Sequence, residues 1–279
     1  MEACLQRWFL KDGLIVSSCD FDPKLMHADG MIYEVLRVMD GKLLFAEEHM
    51  DRLQHSLALA RIETAGKITE LTHQLKELIR INHVNDGNIK IVVMPGQYSS
   101  EIKTAAWFIP HYYPTEAMYR NGIRVSTLQL KRENPNIKIQ RSSYRRKVDR
   151  AREMEDVFEI LLVKDGMITE GSKTNVFFIR KEDCYTAPDS LVLKGITRDK
   201  VTRICKSRGI HLHFEAVRVQ YLHWYEAAFL TGTSTKVLGI SSIDGLANFQ
   251  ANHKVLNEII DAYDDMIRNY LRMNNSSGG

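Results

Sequence analysis

The sequence predicts an α+β chain in two domains. Three observations predict it: a β-hairpin followed by two helix-period segments near the N-terminus, a series of short strand-like runs in the second half, and a stretch of low apolar content bearing Pro and Gly between them. The 279 residues suffice for one large domain or two modest ones.

In order, "MIYEVLRVMDGKLLF" (31–45) is two β-rich runs around Asp40–Gly41, a favoured pair for a tight hairpin turn. "EEHMDRLQHSLALARI" then places Met50, Leu53, Leu57 and Ala60 on one helical face, and "ITELTHQLKELIRINH" does the same with Ile68, Leu71, Leu75, Leu78 and Ile79. "NIKIVVM" and "TAAWFIPHYY" are strand-like and complete a small α+β domain over residues 1–115. "YPTEAMYRNG" (113–122) is the expected interdomain linker. Residues 122–279 form a larger, β-rich domain with flanking helices. Its strands are "IRVSTLQL", "VFEILLV", "GMIT", "TNVFFIR", "AAFLTG" and "VLGISSIDG". "DKVTRICKSRG" is a short helix with Val201, Ile204 and Cys205 inward and Gly209 as its stop. The closing amphipathic helix, "NHKVLNEIIDAYDDMIRNYLRM", carries Val255, Ile259, Tyr263, Met266 and Tyr270 along one stripe. The small, polar tail "NNSSGG" is expected to fray.

Composition narrows the function classes. A net charge of +3 is too small to call for a nucleic-acid or membrane partner, and no window approaches eighteen consecutive apolar residues. The N-terminus lacks the basic start and long apolar core of a secretory leader. The four cysteines are scattered without a CxxC pair, which predicts reduced thiols in a cytoplasmic protein. His211 and His213 alternate in a strand pattern with no ligand cluster nearby, so no metal is expected.

Two polar turns suggest an anion site. In "LVLKGITRDKVTRICKSRG" a strand is expected to end at Gly195, Ile196 and Thr197 to turn the chain, and Thr197 to cap the helix that follows. The amides freed there, with the helix dipole, form a pocket for an anion. "LTGTSTKV" (230–237) adds the hydroxyls of Thr233 and Ser234 at a strand end, and Arg52 could add charge. Neither a Walker loop nor GxGxxG is present. Two further residues have an ordinary and a chemical reading. Lys138, between Ile137 and Ile139, either points out of a sheet or points inward, where desolvation makes it a nucleophile. Glu170, before Gly171, is either a solvated turn residue or a buried carboxylate that needs a partner.

Over nearly its whole length the chain resembles the class IV, or fold-type IV, pyridoxal-phosphate enzymes. These include branched-chain aminotransferase, D-amino-acid aminotransferase and aminodeoxychorismate lyase. The resemblance is carried, in family order, by "IYEVLRV", "EEHMDRL", "NIK", "ITEGSKTNVF", "YTAP", "LKGITR" and "LTGTSTKV". It implies a two-domain fold-type IV enzyme that works as a homodimer on amino acids and 2-oxo acids, with pyridoxal 5'-phosphate as cofactor. It implies that Lys138 forms the Schiff base with the cofactor aldehyde and acts as acid and base. Glu170 would bind the pyridine nitrogen. Arg52, Ile196, Thr197, Thr233 and Ser234 would contact the phosphate, Tyr144 the phenolic oxygen, and Tyr33 the substrate side. The sequence departs from D-amino-acid aminotransferases at Pro95–Gly96, where those enzymes carry an Arg-Gly pair. A branched-chain-like substrate is therefore expected, with a lyase of the aminodeoxychorismate type as the alternative. From Lys131 to Arg152 the chain holds nine basic and two acidic residues. A solvated helix face is the expected reading of that segment. A nucleic-acid or acidic-partner binder without enzymatic activity is the alternative of another class.

Overall fold

The computed structural model describes residues 4–26, 29–64, 66, 68–95 and 102–273. Gly96 of the Pro95–Gly96 pair and the "NNSSGG" tail lie outside the described residues. The chain divides into two compact units, neither of them continuous in sequence: Met1–Tyr112 with Ile137–Ser142 and Ile267–Gly279, and Tyr113–Asn136 with Ser143–Met266.

The first unit contains β1 (Trp8–Lys11), β2 (Leu14–Ser17), β3 (Ile32–Met39), β4 (Lys42–Leu43), α1 (Ala46–Leu59), α2 (Leu71–Asn82), β5 (Gly87–Pro95) and β6 (Ile102–Ile109). Its sheet has the order β2-β1-β6-β5-β3-β4, antiparallel throughout. The predicted hairpin joins β3 to β4, with Asp40 (φ 50°) and Gly41 (φ 70°) both left-handed, as the tight turn requires. Period-2 alternation gives the sheet two apolar faces. Ile32, Leu36, Ile89, Ile91 and Phe108 pack with Leu53, Leu57, Leu75 and Leu78 of the helices. Each such leucine, buried, contributes about 1.5–3 kcal/mol. The other face packs Phe9, Val92, Ala105 and Trp107, with Tyr33 and Val35 against them. The predicted faces of α1 and α2 are buried as expected except at Ala60, which follows the last turn of α1 and is half-buried.

A short strip of later sequence lies along the same edge of β3 as β4, over the stretch that β4 leaves uncovered. The Tyr33 amide donates to the Lys138 carbonyl (3.0 Å), and the Gln140 amide donates to the Met31 carbonyl (2.8 Å). Ile32 and Ile139 form an antiparallel bridge. Sequence order alone placed this strip in the later domain.

The second unit contains α3 (Glu116–Asn121), β7 (Ile123–Gln129), most of α4 (Ser142–Glu155), β8 (Glu159–Lys164), β9 (Met167–Gly171), β10 (Asn175–Arg180) and β11 (Asp183–Thr186). It continues with α5 (Ile196–Arg208), β12 (Leu212–Phe214), β13 (Val217–Arg218), β14 (Ala227–Gly232), β15 (Lys236–Ile243), β16 (Ala247–Asn248) and α6 (Lys254–Met273) as far as Met266. The sheet runs β12-β11-β10-β14-β15-β7-β8-β9-β13, with β16 on β15. The β15–β7, β7–β8 and β11–β12 pairs are parallel. Among the described residues no helix is long and apolar enough to cross a membrane.

Four local expectations are corrected here. The expected linker is helical: Thr115 caps α3 by accepting from the Met118 amide (3.3 Å), and no apolar stripe marks so short a helix in the sequence. Residues 191–195 are loop, not strand: both backbone groups of Leu193 bond to side chains, and Leu191 and Gly195 bond within the local chain rather than to a neighbouring strand. Gly195, not Thr197, is the N-cap of α5, and Thr197 lies inside the first turn. On α6 the fully buried stripe is Val255, Ile259, Tyr263, Ile267 and Leu271, while Met266 and Tyr270 are half-buried.

Candidate active site

In the first unit, Lys138 is held by its backbone on the β3 edge. Its Nζ lies 5.1 Å from the centroid of the Tyr33 ring. A second lysine shares that ring: Nζ of Lys90, on β5, is 5.5 Å from the same centroid and 5.6 Å from that of Trp107. Lys90 is 3% exposed and donates to Oε1 of Gln140 at 2.8 Å, two residues beyond Lys138. Lys90 is thus a buried amine that faces two aromatic rings, a placement suited to cation–π contact.

Arg52, on α1, is committed to Glu34 of β3. Its Nε and Nη2 donate to the two carboxylate oxygens, both at 2.7 Å, a two-point ion pair. His49 Nδ1 lies 3.0 Å from Oε2 of the same residue, and because the carboxylate can only accept, the imidazole is the tautomer protonated on Nδ1. Burial alone would raise the Glu34 carboxyl. The Arg52 charge, the hydrogen bonds from His49 and Arg52 and the Lys138 charge outweigh it and hold Glu34 well below the usual carboxylate range. Burial holds the His49 imidazole below its ordinary value, against the pull of Glu34.

In the second unit, Glu170 sits near the end of β9, 2% exposed. Between the Leu161–Gly171 and Val163–Ile168 pairs β9 carries one residue more than β8, a bulge of the kind that re-aims a side chain. Oε2 accepts from the Leu193 amide at 3.1 Å, and Oε1 lies 3.4 Å from Nη1 of Arg132. Asn175, the first residue of β10, donates from Nδ2 to the carbonyl of the same Leu193 at 2.9 Å. Its Oδ1 fills the space that a Cβ at Gly195 would need, so only glycine fits there. The spacing of "ITEG…N" and "LKGITR" thus has a physical basis: the first motif grips the second at Leu193.

Gly195 caps α5 without a side-chain bond, and Ile196 and Thr197 form its first turn. The Thr197 hydroxyl is 3.3 Å from that of Tyr263. Arg198 anchors the same turn, donating to Asp189 (2.7 Å) and to the Ala187 carbonyl (2.8 Å). Thr233 and Ser234 lie in the turn between β14 and β15, half-buried. The flanking hydroxyls of Thr231 and Thr235 are buried without a hydrogen-bond partner. A helix start with no side-chain cap, and orphaned donors beside a hydroxyl turn, fit a bound oxyanion such as phosphate. Tyr144, on α4, donates to the Ser172 carbonyl at 3.3 Å, with Arg132 5.8 Å from its ring centroid. The rest of the basic segment is largely α4 surface. Arg146, Lys147 and Arg150 are exposed, and Asp149 pairs with Arg145 and Arg152.

Sequence reasoning missed Lys90, Arg132, Glu34 and His49. The signal for Lys90 was present: a lysine inside the otherwise apolar run "IKIVV", facing a sheet side that also carries Trp107. Glu34 and His49 left no comparable local trace, because their pairing joins a strand to a helix.

Residues 31–243 match the sequence pattern of the family described as amino-transferase class IV. A D-alanine aminotransferase of Bacillus licheniformis is 32% identical over 224 residues, 77% of this chain and 79% of that protein. A putative branched-chain-amino-acid aminotransferase of Methanocaldococcus jannaschii is 28% identical over 253 residues, 86% of each. The crystal structure of the branched-chain amino acid aminotransferase of Escherichia coli superposes with a TM-score of 0.83 at 19% identity, over 94% of this chain and 95% of that one, a likeness of fold.

Proposed function

The chain belongs to the class IV aminotransferases, pyridoxal-phosphate-dependent enzymes, and from that premise we propose that it moves an amino group between an amino acid and a 2-oxo acid, with Lys138 as the cofactor-bearing and proton-moving residue. One observation carries the reading: Lys138 and Lys90 place their Nζ atoms 5.1 and 5.5 Å from one Tyr33 ring. An enzyme of this kind needs an amine to hold and release the cofactor and a cation to hold the carboxylate that both substrates share. When bound, the cofactor supplies an aldehyde for the amino groups and a ring that takes up electron density from the substrate α-carbon.

Each residue then has a task. Lys138 would move the proton between the substrate α-carbon and the cofactor's C4′ as general base and acid. Lys90 holds the substrate carboxylate. Glu170 keeps a proton on the ring nitrogen through a charge-assisted bond worth about 1.5–3 kcal/mol. Ile196, Thr197, Thr233 and Ser234 hold the phosphate by amides and hydroxyls, and Arg52 adds charge while Glu34 orients it. Tyr33 packs on the substrate side, and Tyr144 is assigned to the phenolic oxygen. Val35, Val92 and Trp107 surround the Tyr33–Lys90 pair with apolar surface, which favours a branched-chain-like side chain.

The test is an absorbance titration of the purified, cofactor-loaded protein with L- and D-amino acids, followed by 2-oxoglutarate. Loss of the cofactor's visible band with L-leucine, and its recovery with 2-oxoglutarate, is expected. Conversion with D-alanine alone replaces the branched-chain assignment. Conversion without recovery by any 2-oxo acid selects the lyase. No spectral change with any amino acid overturns the reading.

A further inference from the structure

We propose that Glu159 is a positioning residue for Glu170, acting through the turn that closes the β9 bulge. The inference rests on the reading of Glu170 as partner of the ring nitrogen. Glu159, the first residue of β8, is 5% exposed. Its Oε1 accepts from the Ile160 amide (2.8 Å) and the Ser172 hydroxyl (2.5 Å), and its Oε2 from the Lys173 amide (3.2 Å) and the Thr174 hydroxyl (3.1 Å). Three of these four donors belong to residues 172–174, the segment directly after Glu170–Gly171.

A buried carboxylate is expensive unless its lone pairs are filled, and here donors of the turn fill them, with the Lys173 charge nearby. The turn therefore has one low-energy arrangement. Gly171 donates to the Thr174 carbonyl (2.8 Å), and Ser172 donates to the Ile160 carbonyl (2.9 Å). The Thr174 hydroxyl bound by Glu159 also occupies the place of a Cβ at Gly171, so the backbone beside Glu170 lies directly on the clamp. The far end of the turn delivers Asn175, which holds the Leu193 carbonyl, while Glu170 holds the Leu193 amide. A carboxylate outside the chemistry thus fixes both ends of the grip on Leu193. Glutamine at 159 would present an amide NH2 to two of these donors, and the turn would have to shift.

The experiment compares wild type, Glu159→Gln, Glu170→Gln and the double variant as loaded enzymes. Three quantities are read: the stopped-flow rate of the first half-reaction, the 15N chemical shift of ring-labelled pyridoxal phosphate at rest, and the melting temperature. Glu159→Gln is expected to slow the half-reaction about tenfold, the loss of one charge-assisted contact's alignment. It should move the nitrogen resonance part of the way toward that of Glu170→Gln. In the Glu170→Gln background it should change neither. Additive rate effects in the double variant, or a lower melting temperature with wild-type rate and resonance, overturn the inference and leave Glu159 a stability residue. A wild-type rate and resonance in Glu170→Gln is a different failure, that of the ring-nitrogen assignment, and the Glu159 inference falls with it. If Glu159→Gln does not fold, Thr174→Val removes one donor from the clamp and should give a smaller change in the same direction, with no change overturning the proposal.

Discussion

Replacing Lys90 by methionine separates two consequences of a buried charge. Methionine keeps most of the side-chain volume, so the packing against Tyr33 and Trp107 survives. Folding loses the 2.8 Å bond to Gln140, at a cost of about 1–3 kcal/mol for the stranded amide oxygen, and gains relief from burying an ammonium, a similar amount of opposite sign. The melting temperature should therefore move by no more than about 4 °C. Binding is different, because nothing replaces the lost cation opposite the substrate carboxylate. A charge-assisted bond of about 1.5–3 kcal/mol corresponds to about a 10- to 150-fold loss in kcat/KM. The assay adds a competitive ligand without an amino group, a branched carboxylic acid, and compares it with its uncharged carboxamide. Lys90→Met should weaken inhibition by the acid by the same factor and leave the carboxamide unchanged. Equal weakening of both ligands, or of neither, would refute the assignment of Lys90 to the carboxylate.

Three other outcomes are expected. Lys138→Ala should lose the visible absorbance of the bound cofactor and nearly all turnover while keeping its fold; borohydride reduction of wild type followed by peptide mapping should label Lys138, and a label on another lysine would displace it. Acid should destabilise the protein from about pH 6.5 downward. The lowered His49 pKa means that the unfolded imidazole takes up a proton first, and the lowered Glu34 pKa means that its contribution, complete above about pH 4.3, is lost as pH falls toward its folded value. A melting temperature unchanged between pH 7 and 5 would contradict the first, and one unchanged between pH 5 and 3 would contradict the second. Sedimentation at micromolar concentration should show a dimer, and a fully active 32.1 kDa monomer would count against it.

Much of the fold was legible because it rests on local periodicity. The Asp40–Gly41 turn and the stripes of α1 and α2 are statements about neighbouring residues, and the structure repeats them with little change. The candidate site was legible only in part. Lys138 and Glu170 stood out through motif resemblance, while the features that hold them come from distant residues. Arg132 reaches Glu170 across 38 positions, and Leu193 across 23. Thr197 was misjudged as a cap because a threonine before a helical run is the usual cap signal. Here Asn175 packs beneath Gly195, and the helix starts two residues earlier. Lys90 was passed over because a lysine in a strand usually faces water, an inference that fails when both faces of a sheet are covered.

The strip that bears Lys138 also sets an order of assembly on the ribosome. The six strands and two helices of the first unit are complete once residue 112 has been made, and they can begin to pair there. The edge of β3 at Met31–Tyr33 then waits for residues 138–140, which are synthesised only after α3 and β7. Lys138 is thus among the later parts of its own unit to be made. A nascent chain can build most of this sheet before the lysine proposed as nucleophile has been made, and that residue then joins a scaffold already in place.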